Sequence, residues 1–319
     1  MSEHETAFES MGSVVRILIG TGSEDAGAAA SAAAEQRRFL ARFTAALSRF
    51  DPASELCSLN ADPRPVVPCS PLLRTAVRAA VGAARRSGGL VDPTLLDEIE
   101  AAGYVGSWQG STASPAEALA AAPRRRPARL RPDSAWRAFE VDDEAGTVSR
   151  PPGARIDSGG IGKGLAADLV AARLRRFGRF VVDCGGDIRI GGADALTHPY
   201  EVLIEHPLSG ERVAALRLGW GGIATSGVNV RLWRGEDGRF RHHLLDPANG
   251  EPAWTGLVGA TALGASAVEA ETLAKAALLA GPEGGRELLA ELGGLVVHDD
   301  GRVEPVGPIA LRRLGPGGG

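Results

Sequence analysis

The stretch from Arg155 to Ile188, RIDSGGIGKGLAADLVAARLRRFGRFVVDCGGDI, holds the residues of this chain best suited to bind an anion. Its glycine-rich turn opens a helix, where unpaired backbone N–H groups and the positive end of the helix dipole favour a phosphate. Lys163 adds a point charge there. A P-loop is excluded, because Asp157 and Gly164 stand where that motif needs a glycine and a Ser or Thr. Gly162-Lys163-Gly164-Leu165-Ala166-Ala167 does fit the dinucleotide pattern G-x-G-x-x-A, and Asp183 follows about 20 residues on, where a ribose-binding acid would sit. With 43 glycines in 319 residues, an ordinary tight turn competes with that reading. The basic residues add a second clue. Of 35 Lys and Arg, only Lys163 and Lys275 are lysine, which points to a need for a compact ammonium, and not a planar guanidinium, at these two places.

The elements that must position these groups can be read from periodicity. After the glycine turn, Leu165, Leu169, Val170 and Leu174 form the stripe of a helix lying on a sheet, and Phe180-Val181-Val182 is a buried strand. Upstream, Met11-Gly12-Ser13 leads into a strand from Val14 to Ile19. An alanine-rich helix follows, with Phe39, Leu40, Phe43, Leu47 and Phe50 on one face, and Asp51-Pro52 ends it. Residues 54–60 read as a short polar turn. Ser70-Pro71 and Asp92-Pro93 each read as a helix start, the second helix ending at Gly103. From 105 to 133 periodicity is lost, and the Arg124-Arg125-Arg126 run reads as part of a solvated, flexible insertion. Downstream come several strands, a helix from Ser266 to Ala280 carrying Glu271 and Lys275, a second near 283–292, and a glycine-rich tail. The expected class is α/β (α+β), with mixed sheets and flanking helices. One domain over 1–319 is expected, with the insertion near 105–133 and a short disordered tail near 312–319.

Composition narrows the function. A hydrophobic content of 44% supports a sizeable core, and a net charge of -4 gives no basic field for nucleic acid. Three cysteines without C-x-x-C spacing suggest neither a disulfide framework nor a zinc site. No apolar run approaches a membrane span and the N-terminal residues do not resemble a signal peptide, so a cytoplasmic protein without a membrane anchor is expected.

Six segments, taken in order, resemble the FAD:protein FMN transferase family, the ApbE-type flavin transferases. They are Met11-Gly12-Ser13, Gly89-Leu90-Val91-Asp92-Pro93-Thr94, Asp157-Ser158-Gly159-Gly160-Ile161-Gly162-Lys163-Gly164, Ala224-Thr225-Ser226-Gly227, His243-Leu244-Leu245-Asp246-Pro247 and Ala270-Glu271-Thr272-Leu273-Ala274-Lys275. The similarity runs from about residue 8 to about 281. It implies an enzyme that splits FAD at its pyrophosphate, attaches FMN to a Ser or Thr hydroxyl of an acceptor flavoprotein in trans, releases AMP and uses Mg2+. It also implies that Met11, Phe50, Leu90, Val91, Asp92, Asp157, Lys163 and Val258 contact FAD, that the Gly160 carbonyl ligates the metal, and that His243 is catalytic. A histidine suits the part of general base for a hydroxyl nucleophile near neutral pH.

Glu271 and Lys275 match the helix motif in which the family supplies further metal ligands, and both depart from its pattern. Glu271 stands where the family usually has Asp, and Lys275 where it usually has Thr. A protonated lysine cannot ligate a hard cation. At i and i+4, Glu271 and Lys275 could simply form a helix ion pair, or the ammonium could take over part of the metal's charge. The alternatives to transfer are FAD binding or hydrolysis without an acceptor, and, on the G-x-G-x-x-A match alone, a nicotinamide-dependent oxidoreductase. A monomer or homodimer is expected; the acceptor is not named by the sequence.

Overall fold

The structure is a computed structural model that describes residues 2–21, 26–108, 110 and 113–314. Alternation builds its first hairpin: in Ser13–Thr21 the side chains of Val15, Ile17, Ile19 and Thr21 are buried while Val14 and Arg16 face solvent. Met11 and Gly12 form the two-residue turn that joins this strand to Ser2–Ser10, with φ of 54° and 66°. Positive φ at both positions matches the twist of a hairpin. Met11 is the one non-glycine residue with positive φ among the described residues.

That hairpin edges an eight-stranded sheet in the order Ser2–Ser10, Ser13–Thr21, Phe180–Cys184, Ile188–Gly191, Gly221–Gly227, Leu257–Gly264, Gly294–His298, Val303–Val306. Every ladder between the described strands is antiparallel, which places the chain on the α+β side of the expected class. The nicotinamide reading fails here. A dinucleotide fold needs parallel strands joined through a helix, yet Phe180–Cys184 turns straight back into Ile188–Gly191.

Helices Ala26–Leu47, Pro71–Arg86 and Gly162–Arg173 share one apolar core with the first strands. Much of helix Ala267–Leu289 belongs to a second core, with the strands from Gly221 onward. The two cores meet where Gly162–Arg173 touches the start of Ala267–Leu289. A Cβ on Gly164 would lie 2.7 Å from the Ala267 carbonyl oxygen, so only glycine permits this backbone-to-backbone approach. Asp168 completes the joint by accepting from the Ala267 and Val268 N–H groups at 2.9 and 3.0 Å. Gly281, at φ 74°, and Pro282 break the long helix where the sequence suggested two.

Four expectations change. Residues Glu55–Ala61 form a short helix capped by Ser54, with Leu56 and Leu59 buried, where a turn was expected. Its two buried positions are too few to show a helical period. The helix expected at Asp92-Pro93 begins only at Leu96, because the Asp92 carboxylate holds a turn through Thr94 N–H at 2.8 Å and Thr94 Oγ1 at 2.6 Å. The segment near 105–133 contains helix Pro115–Ala121 and then a strap tied to the second core. In that strap Arg126 N–H donates to Trp254, Ala128 N–H to Leu279 and Arg129 N–H to Asp246 Oδ1. Within the expected tail, Arg312–Arg313 pairs with Ala214 and Ala215; residues 315–319 lie outside the described ones.

Candidate active site

A cavity of about 370 Å³ opens between the two cores. Met11, Phe50, Leu90, Val91, Asp92, Asp157, Gly160, Lys163, His243 and Lys275 line it, so ten of the residues singled out from the sequence meet in one place. Glu271 lies fully buried just beneath, reached through Lys275. Val258 is not in the lining; it is buried in the second core.

One wall is aromatic. Tyr104 lies 5.5 Å from Phe50, 5.9 Å from Trp108 and 5.7 Å from Trp233, centroid to centroid. The Arg49 guanidinium sits over both the Phe50 and Tyr104 rings at 4.2 and 4.5 Å, and its Nε is 3.7 Å from Asp157 Oδ2. Arg231 Nε donates to the Tyr104 hydroxyl at 2.7 Å. Flat rings with a planar cation among them suit a flat heteroaromatic guest. Neither Arg49 nor Arg231 was singled out from the sequence, since one arginine among so many carries no local signal.

The floor is charged. Lys163 Nζ lies 2.5 Å from Asp187 Oδ2, and Asp187 is buried with no hydrogen-bond partner for Oδ1. Burial pulls the Lys163 ammonium down, but Asp187 and Glu271 outweigh it and the net shift is upward, so the cation persists. Lys275 Nζ donates to Glu271 Oε1 at 2.7 Å, and Glu271 Oε2 accepts the Gly164 N–H at 2.8 Å. The Glu271 carboxyl is pushed up, first by burial and then by Asp187, against the pull of the two lysines. The helix pair expected from the i, i+4 spacing is therefore real and buried.

His243 sits at the edge of the floor, just after strand Phe240–His242. Burial, then the charges of Arg231, His242 and Lys275, hold its imidazole well below the usual histidine range, so it is neutral at pH 7. Its neighbour His242 is fully enclosed, edge-on to Trp254 with ring centroids 4.7 Å apart.

The magnesium implied by the resemblance does not fit these groups. Mg2+ asks for near-octahedral oxygens at about 2.0–2.1 Å. Here one Glu271 oxygen faces an ammonium and the other an amide. Among the described residues no three His, Cys, Asp or Glu side chains are placed to hold a metal ion.

The chain resembles known proteins in sequence and in fold. The model of the ApbE family matches residues 11–297. The FAD:protein FMN transferase of Klebsiella pneumoniae is 28% identical over 255 residues, covering 78% of this chain and 68% of that protein. The one from Vibrio cholerae is 33% identical over 147 residues, only 44% of each chain. In structure, the ApbE protein of Thermotoga maritima superposes with a TM-score of 0.79 at 25% identity, covering 96% of this chain and 97% of its own. The flavinyl transferase ApbE of Pseudomonas stutzeri gives 0.73 at 23%, over 98% and 95%.

Proposed function

This chain belongs to the ApbE family, and we propose that it transfers the FMN half of FAD to a Ser or Thr hydroxyl of an acceptor flavoprotein, releasing AMP. The observation that carries the reading is the joining, in one cavity, of a neutral His243, the open glycine turn before Gly162–Arg173 and two ammonium groups. The aromatic wall suits the rings of FAD, and the charged floor its pyrophosphate.

The reaction then needs few parts. The acceptor's hydroxyl oxygen forms a bond to the phosphorus of the FMN half while the bond from that phosphorus to the AMP oxygen breaks. AMP departs with the electron pair, and the hydroxyl proton goes to His243. A neutral imidazole can take that proton, and an imidazolium could not. Lys163, Lys275 and the N–H groups of the turn face the charge that builds on the phosphoryl oxygens. The acceptor is a separate protein. Three unpaired cysteines are consistent with a reducing, cytoplasmic setting, and no helix among the described residues is long and apolar enough to cross a membrane.

The test is the mass of a flavin-acceptor domain incubated with the protein and FAD. A gain of one FMN less water, lost in His243→Ala while FAD still binds, is the expected result; removing a general base costs about 10²–10⁴-fold in rate. The unusual Glu271–Lys275 pair keeps a second reading in view, FAD hydrolysis without transfer. Free FMN with no labelled acceptor would select it.

A further inference from the structure

The chain has two lysines, and both line the same cavity, each against a carboxylate that is almost wholly enclosed. Asp187 is 1% exposed and Glu271 0%. An isolated buried charge is very costly, so each acid needs its ammonium. Two acids and two ammonium groups close the charge of the floor before any ligand arrives. The Glu271 carboxylate is also held in place by backbone: its second oxygen binds the Gly164 N–H, where the two helices cross. A divalent ion at Glu271 would have to displace the Lys275 ammonium from Oε1 or compete with the Gly164 N–H for Oε2.

We propose that Lys275 is a resident cation, and that this chain binds the pyrophosphate of FAD with Lys275 and Lys163 and without a divalent metal. An ammonium carries three N–H donors, of which Glu271 accepts one. The others are free to serve phosphate oxygens at the cavity floor. Lysine does what arginine would not, because a compact point charge fits between Glu271 and a phosphate where a planar fork would not. Glu271 acts as the positioning residue, fixing the ammonium from below.

The inference rests on the flavin reading, and the experiment separates the two. FAD is titrated into the full-length protein, stripped of metal by chelation and dialysis, and followed by flavin fluorescence with EDTA or with Mg2+. Affinities within about twofold of each other are expected, with no heat of Mg2+ binding to the free protein by calorimetry. A tenfold or greater loss of FAD affinity in EDTA, restored by Mg2+, overturns the proposal and leaves the flavin reading standing. No FAD binding in either condition overturns both. In Lys275→Thr the metal-free affinity should fall at least tenfold and recover on addition of Mg2+. An unchanged metal-free affinity in that variant overturns the proposal. Should Lys275→Thr not fold, the paired wild-type titrations decide the question alone. Lys275→Arg, which keeps a charge against Glu271, should stay insensitive to EDTA but bind FAD more weakly than wild type.

Discussion

Asp187 and Lys163 show how much depends on a single partner. The sequence offers two acids around the Gly185-Gly186 turn, and spacing favoured Asp183, which would suit a ribose. In the hairpin Asp183 pairs across with Ile188, and its Oδ1 is used up by the Gly186 N–H at 2.7 Å. Asp187, four residues on, is the acid beneath Lys163. Which of two acids in a hairpin points inward is set by register, and register is a property of the whole sheet. Removing the cation tests the pair: Lys163→Met leaves Asp187 buried and unpaired, and should cost about 3–5 kcal/mol. Urea denaturation measures it, and Lys163→Met with Asp187→Asn should recover much of the loss.

At the level of elements, the joint between Gly162–Arg173 and Ala267–Leu289 sets the height of the cavity floor. Gly164→Ala puts a Cβ against the Ala267 backbone, which has no side chain to swing away. A loss of about 1–3 kcal/mol in chemical denaturation is expected, typical of overpacking, with weaker FAD binding as the Glu271 contact to Gly164 N–H lengthens. This joint was half legible. The glycine turn, the apolar stripe and the i, i+4 pair of Glu271 and Lys275 could all be read locally. That Asp168 caps a helix about a hundred residues away could not, because nothing near Asp168 marks it. The strap through Arg126, Ala128 and Arg129 is largely solvated, as its composition suggested, but its backbone ties to distant carbonyls and a carboxylate leave no period in its own sequence.

For the molecule as a whole, the enclosed His242 makes stability depend on pH. Burial holds it neutral, its pKa lowered to about 3. The unfolded chain binds a proton at this histidine below about pH 6.5 and the folded one does not, so stability should fall as pH drops from about 6.5 to about 3. The slope is about 1.4 kcal/mol per pH unit for one such group at its steepest, and His243 adds to it in the same direction. Urea midpoints at pH 7 and pH 5 check this, and His242→Phe should flatten the dependence. Most of the ten cavity residues follow from the family resemblance, while the mixed α/β (α+β) class and most of the strands and helices follow from local pattern. The antiparallel sheet order does not, since parallel and antiparallel ladders accept the same apolar runs.

One ladder in that sheet differs from its neighbours. Ile188–Ile190 against Gly221–Ile223 joins the first four strands of the sheet to the last four, and two of its three residues on the later strand are glycine. It is the seam of the molecule, and the cavity straddles it: Lys163 reaches in from one side, Thr225 and Lys275 from the other. A guest held by both lysines is therefore a tie bar across the seam. Occupancy should slow amide hydrogen exchange first along Gly221–Ile223, so that the ligand serves as a structural member of the fold as well as its substrate.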